Sequence, residues 1–293
     1  MSHHSFKDAS EFIQSFHKPG LSSTECVSGY NEESAIKVYN DYSIVLSYNG
    51  PVYIANMLAG LIPDKDKTKV LDLAAGTGLV GEALYKRGFR NLDALDGGEA
   101  LVNFCKSTGV FQDLFTCIIG DGHKLPMKDN TYDAIACSGG TIENHLPPSS
   151  QIEIARIIKP GGFFVNAYRA NLHETEEEYA NEWREVAERL ENEGTWTLYG
   201  RFFFKKFHKL SQGQMDVYQK FPQQGDLRLS GPPSGQSASA GVRTRDRRVP
   251  SDLRADSLAA EPPTPPTPFF FFSGSFIAKE AFEQSISAIL RYP

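Results

Sequence analysis

Val70-Leu71-Asp72-Leu73-Ala74-Ala75-Gly76-Thr77-Gly78 is an apolar run that ends in a turn of small residues, after which Leu79, Val80, Ala83 and Leu84 take up helical spacing until Gly88 stops them. A short buried strand, Lys69 to Leu73, that feeds a glycine loop and then a helix opens a βαβ unit. With no Cβ at Gly76 and Gly78, backbone can lie against a ligand, and the free N–H groups of the helix start favour an acceptor or a negative group there. Such a site belongs at the carboxyl ends of parallel strands, where the strand order reverses.

The alternation continues on both sides of this loop. Strands are expected at Leu92 to Asp96, at Phe115 to Ile119 closed by Gly120-Asp121-Gly122, and at Tyr132 to Cys137, with a helix over Ala100 to Lys106. Gln151 to Ile158 has a helical apolar face, Lys159-Pro160-Gly161-Gly162 must break it, and Phe163 to Ala167 reads as the fifth strand. Thr175 and Glu178 are spaced as a capping box ahead of a helix that lines up Tyr179, Trp183, Val186, Ala187 and Leu190 on one face, Trp183 being read as core. Thr195 to Lys209 and Gln214 to Phe221 are expected as two final strands, a hairpin joined through Ser211 to Gly213. The predicted class is therefore α/β, a doubly wound, mainly parallel sheet of seven strands that ends near Phe221.

Composition narrows the setting. A hydrophobic fraction of 40% and a charged fraction of 23% suffice for a sizeable core, and no apolar run approaches the roughly 20 residues of a spanning helix. Met1 to Ser10 contains no apolar signal core. Cys26, Cys105, Cys117 and Cys137 are widely spaced, which suits reduced thiols in a cytoplasmic or nuclear protein and offers no metal set; His3 and His4 are too few for one. A net charge of −6 argues against nucleic-acid partners, which need a basic surface. Nine of the seventeen prolines fall between Pro222 and Pro268, so residues 222–293 read as a disordered Pro/Ser/Arg-rich tail or as a gene-model artefact, and the acidity stays with residues 1–221.

Glycines alone do not choose the ligand. Gly76-Thr77-Gly78-Leu79-Val80-Gly81 also fits the dinucleotide pattern G-x-G-x-x-G, and Asp96 at a strand end can accept from the two hydroxyls of a ribose in either cofactor. Taken together, four elements resemble the class I S-adenosylmethionine-dependent methyltransferases over roughly Tyr39 to Phe221. Asp72-x-x-x-Gly76-x-Gly78 is similar to that family's first motif, Asp96 with Gly97 to its ribose acid, Asp121 with Gly122 to the acid beside the adenine amine, and Lys159-Pro160-Gly161-Gly162 to the turn ahead of strand five. Ala74 stands where the family carries glycine, which requires backbone without a positive φ at that position. Tyr39-Asn40-Asp41-Tyr42 and Tyr48-Asn49-Gly50-Pro51 look like the Williams-Beuren syndrome region methyltransferase-like proteins, a resemblance that implies an N-terminal helical cap over residues 1–60 and a Rossmann-like cofactor domain over 61–221.

The resemblance implies S-adenosyl-L-methionine as cofactor, held by Asp72, Ala74, Gly76, Gly78, Asp96, Gly97, Asp121, Gly122 and Ser138. Asp72 is read as a ligand rather than a solvated acid because a carboxylate entering a glycine loop is costly to bury without donors. Asp121 also fits an ordinary Asp-Gly turn, and Ser138 an ordinary Ser-Gly-Gly loop. His145 is the one candidate base, against the plainer reading of a surface-loop histidine, and Tyr39 and Tyr42 either close over the cofactor or belong to a core. The expected activity is methyl transfer to a small-molecule acceptor, a protein acceptor being the alternative, with no membrane partner. A non-catalytic S-adenosylmethionine-binding module and an NAD(P)-dependent oxidoreductase stay open behind it.

Overall fold

The computed structural model describes residues 21–31, 33–120 and 122–222. Readings that fall on residues 1–20, on the segment from residue 223 to the end, and on Asp121 lie outside the described residues. Three helices come first, α1 (Ser23–Tyr30), α2 (Glu33–Val45) and α3 (Gly50–Leu61). The sheet then alternates with helices as β1 (Lys69–Leu73), α4 (Leu79–Tyr85), β2 (Asn91–Asp96), α5 (Glu99–Thr108), β3 (Leu114–Thr116), β4 (Tyr132–Ser138), α6 (Ser150–Ile157) and β5 (Ile158–Arg169). After α7 (Leu172–Thr175) and α8 (Glu177–Asn192), β6 (Trp196–His208) and β7 (Ser211–Lys220) complete the sheet.

Seven strands lie in the order β3-β2-β1-β4-β5-β7-β6. All neighbours are parallel until β7, which runs antiparallel to both β5 and β6. The expected doubly wound sheet is what forms, and its two faces are built differently. Leu71, Ile135, Cys137, Phe164 and Tyr168 point to the layer of α6 and α8, where Trp183 and Leu190 are buried. Val70, Ala134, Ala136, Val165 and Ala167 alternate to the other face, and three alanines there let α3 settle closely through Ile54, Ala55, Met57 and Leu58. Among the described residues no helix is long and apolar enough to cross a membrane. The four cysteines are free thiols, three of them buried.

Several boundaries differ from the sequence reading for identifiable reasons. Strand β3 stops at Thr116 instead of continuing to Ile119; Cys117 donates its N–H to Asp96 O at 3.0 Å and the chain then leaves the sheet. Lys159-Pro160-Gly161-Gly162 does end the helix, yet it lies inside β5 as a bulge, because Tyr132 pairs with Ile158 while Ala134 pairs with Phe163. The capping box does not form. Thr175 Oγ1 turns back to the carbonyls of Asn171 and Leu172, and the N-cap position of α8 is Glu176, whose side chain makes no cap bond. In the last hairpin the turn is Lys209-Leu210, two residues earlier than expected, so Ser211 to Gly213 are already strand.

The bulge separates two glycines sharply. A Cβ on Gly162 would sit 2.6 Å from Asp133 O and 2.9 Å from Lys159 O, both backbone, whereas Gly161 has open space and only its φ of +79° to defend. Gly162→Ala is therefore expected to cost about 1–3 kcal/mol of unfolding free energy by overpacking, and Gly161→Ala about 1 kcal/mol from the left-handed backbone. Urea unfolding of the two variants checks the order; equal losses would mean that the bulge relaxes around the added methyl.

Candidate active site

The strand order reverses between β1 and β4, and both strands end at a cavity of about 410 Å³. One end is walled by the β1–α4 loop, by the end of β2 and by residues 117–119; the other by residues 138–140, the end of β5 and the β6–β7 turn. Helices α1 and α2 supply Cys26, Val27, Tyr30 and Tyr39 to the remaining side.

The loop after β1 is left-handed at three alternate positions, Ala74 (φ 53°), Gly76 (φ 57°) and Gly78 (φ 84°). The expectation that Ala74 keeps a negative φ is thus corrected. An L-residue there costs about 1–2 kcal/mol, and the methyl's packing against the core next to α6 offsets part of it, a buried methyl contributing about 0.8 kcal/mol. That methyl also sets a limit across the cavity, since a Cβ on Gly140 would lie 2.9 Å from Ala74 Cβ.

Two carboxylates hold this loop from inside. Asp96 Oδ2 accepts from Gly76 N at 2.8 Å and Oδ1 from Gly98 N at 2.9 Å. Asp72 Oδ2 accepts from Gly81 N at 2.9 Å, while its Oδ1 is buried with no partner. Gly78 occupies the N-cap of α4 and has no side chain to offer, so Asp72 supplies the missing cap from the neighbouring strand. Burial pushes both carboxyls up, Asp72 well above the carboxylate range; the N–H bonds from the loop pull the other way without cancelling it.

Of the residues singled out in sequence, Ala74, Gly76, Asp96, Gly97, Ser138 and His145 line the cavity together. Asp72 and Gly78 stand behind the loop and shape it, and Gly122 lies off the cavity wall. Tyr39 does come over the loop, its hydroxyl 3.5 Å from where a Cβ on Gly76 would be; the side chain of Tyr42 lies outside the described residues. His145 is half-buried rather than at the surface. Its Nδ1 is 3.2 Å from Glu143 O, so that nitrogen donates, which leaves Nε2 to accept from Tyr30 Oη at 3.3 Å. Burial lowers its pKa, and Cys26 Sγ beside it at 3.8 Å is pushed up to about 11, so both stay neutral near pH 7.

Tyr48, from the Tyr48-Asn49-Gly50-Pro51 segment, and four residues that were not singled out for the site also reach it. Tyr48 Oη lies 2.6 Å from Ser138 Oγ at the end of β4, and Arg169, Asn171, His208 and Ser211 close the far end. Tyr48 comes from the link between α2 and α3; Arg169, Asn171, His208 and Ser211 belong to no local motif and are delivered by the end of β5 and the β6–β7 hairpin.

Comparison with known proteins points to methyltransferases. Residues 71–166 match the model of a methyltransferase domain. The chain is 28% identical over 159 residues to human methyltransferase-like protein 27, covering 54% of this chain and 63% of that protein. Over 98 residues it is 37% identical to the demethylmenaquinone methyltransferase of Corynebacterium glutamicum strain R, covering 33% of this chain and 40% of that one. The chain thus spans less than two thirds of the curated relatives it matches. A solved TehB-like SAM-dependent methyltransferase from Corynebacterium glutamicum is similar at 17% identity and a TM-score of 0.46, over 64% of this chain and 100% of that one.

Asp72 gives a test with a definite sign. Its folded pKa is raised, so the folded chain binds more protons in the window just above the ordinary carboxylate range, and its contribution to stability falls as pH rises through that window. Asp72→Asn, which keeps an acceptor for Gly81 N, is expected to gain on the wild type between about pH 5 and about pH 8. Asp72→Ala should lose about 1–2 kcal/mol through the stranded cap. Urea unfolding at the two pH values reads both; a pH-independent offset for Asp72→Asn would refute the perturbed carboxyl.

Proposed function

We propose, from the premise that residues 71–166 form a class I methyltransferase domain that uses S-adenosylmethionine, that this chain moves the cofactor's methyl group to a small-molecule acceptor held in the same cavity. The observation that carries the reading is Asp96. It is a buried carboxylate at the cavity wall, each of its oxygens takes one backbone N–H, and burial still outweighs those bonds. Remaining lone pairs suit two further donors side by side, which is what the hydroxyls of a ribose offer. The lack of a Cβ at Gly76 and Gly97 lets backbone approach the same place; at Gly97 a Cβ would already meet Val27 Cγ2 at 2.7 Å.

When bound, S-adenosylmethionine supplies an electrophilic methyl carbon on a sulfonium, a good leaving group. What remains for the protein is alignment and exclusion of water. Val27, Tyr30 and Tyr39 from α1 and α2 cover the cofactor end, and the Tyr48–Ser138 pair stands at the end of β4, between the two halves of the cavity. The ring of His145 is turned to receive Tyr30, so we assign it to holding α1 against the site rather than to removing a proton. Residues Asp72, Gly78 and Ala74 act by setting the course of the loop.

Calorimetric titration of S-adenosylmethionine, S-adenosylhomocysteine and NAD into the full chain tests the reading, with transfer of a labelled methyl group to candidate acceptors as the second step. The sulfonium and its demethylated product are expected to bind at about micromolar Kd, and Asp96→Asn and Asp96→Ala to weaken both by about tenfold or more. Binding of NAD in their place would replace methyl transfer by a redox reading.

A further inference from the structure

The cavity end away from Asp96 has a chemistry of its own. Arg169, at the end of β5, donates through Nη2 to Glu176 Oε1 at 2.7 Å. The other Glu176 oxygen takes Glu143 N at 2.8 Å, so both oxygens of this carboxylate are engaged and it holds the guanidinium through Nη2. Nη1 and Nε have no partner among the described residues, so one edge of the guanidinium, the second Nη2 hydrogen paired with whichever of the two lies away from Glu176, stays open, although the side chain is only 26% exposed and lines the cavity. A planar fork of donors left open in a half-buried wall is costly unless a planar pair of acceptors faces it.

A second donor stands nearby. Leu210 N lies 3.2 Å from His208 Nδ1, and because a backbone N–H can only donate, Nδ1 accepts. The proton of the neutral ring is therefore on Nε2, which donates to Ser211 Oγ at 3.1 Å. Burial and the positive charge of Arg169 both lower the His208 pKa, which keeps the ring neutral at pH 7. With its oxygen engaged as acceptor, Ser211 has its own hydroxyl proton to offer to the cavity it lines. Asn171 Oδ1 is the complement, a buried acceptor with no hydrogen-bond partner on the same wall. Phe207 and Leu210 close the end with apolar surface.

We propose that this end of the cavity binds a small organic acid, its carboxylate seated on the open edge of Arg169 and on the Ser211 hydroxyl, with a neighbouring N–H or O–H of the molecule donated to Asn171. The inference rests on the methyl-transfer reading for its consequence, namely that the methyl acceptor carries a carboxylate. Its binding geometry stands on these three residues alone. Glu176 makes the assignment sharper, because it orients Arg169 and at the same time weakens its field. Removing that negative charge strengthens the site for an anion, the reverse of what loss of a structural contact does.

The test is calorimetry on the full chain saturated with S-adenosylhomocysteine, using benzoate, phenylacetate, 3-phenylpropionate and hexanoate, each beside its primary amide, and a short peptide with a free carboxyl terminus. At least one acid is expected to bind about tenfold or more tightly than its amide, Arg169→Gln to weaken it about tenfold or more, Ser211→Ala to weaken it several-fold, and Glu176→Gln to tighten it. The isotherm of S-adenosylhomocysteine should stay unchanged in all three variants. Should Arg169→Gln not fold, the opposite signs of Ser211→Ala and Glu176→Gln decide alone. No binding by any acid, equal binding of acids and amides, a weaker acid in Glu176→Gln, or binding of the peptide in place of the small acids would each overturn the proposal. Absence of heat with S-adenosylhomocysteine would instead count against the methyl-transfer reading, and the acids titrated into the chain alone would then settle the carboxylate site separately.

Discussion

Backbone N–H groups of the loop after β1 turn inward, and the architecture of the site follows from what receives them. Three left-handed residues at positions 74, 76 and 78 take the chain out of the ladder, so that beyond Ala75, whose N–H still reaches Leu95 O in β2 at 3.1 Å, its donors need other acceptors. Asp96 receives Gly76 N from this loop and Gly98 N from the turn after β2, and Asp72 receives Gly81 N in the first turn of α4. Burying two carboxylates is expensive, which is visible in their raised pKa values, yet without them the start of α4 and the approach to the cavity would have no fixed geometry. The same incomplete compensation that strains Asp96 leaves it ready for outside donors.

The parallel half of the fold was legible because its signals are local: an apolar strand, a small-residue turn, a helical stripe, repeated. Misreadings occurred where tertiary structure gives a residue a different use. Ile119 is apolar because it enters the core, not because it pairs in β3. Thr175 and Glu178 have capping-box spacing, but Asn171 and Leu172 capture the threonine first. In the site, the residues readable from sequence are those next to the glycine loop and the strand ends, Gly76, Asp96, Gly97 and Ser138 among them. Asp72 was legible as a buried acid in need of donors; that its donor is Gly81 depends on the path of α4. Arg169, His208 and Ser211 carry no spacing pattern, since they meet only after strands distant in sequence have paired.

That pairing explains why the far end of the cavity is polar. Because β7 is antiparallel to β5, Arg169 lies opposite Gly213, and the turn between β6 and β7 arrives at the edge where the parallel strands end. Just inside, Asp216 accepts from Tyr168 Oη at 2.7 Å and from Arg201 through Nε at 2.7 Å and Nη2 at 2.9 Å. The charge of Asp216 is matched within the sheet, the two strands are fixed against each other, and the groups beyond them sit on rigid supports.

The contact between Ala74 and Gly140 has a consequence for how sequences of this shape can vary. A side chain at one position excludes a side chain at the other, because the two would meet at 2.9 Å across the ends of adjacent strands. This chain has taken the methyl on the β1 loop and left the β4 loop bare. Cys137 Sγ, 2.8 Å from the same point, and Leu146 Cδ1 at 3.2 Å narrow the space further, so glycine at the first position does not by itself free the second. The opening where the two halves of the cavity join is thus kept by three side chains that together leave no room for a fourth.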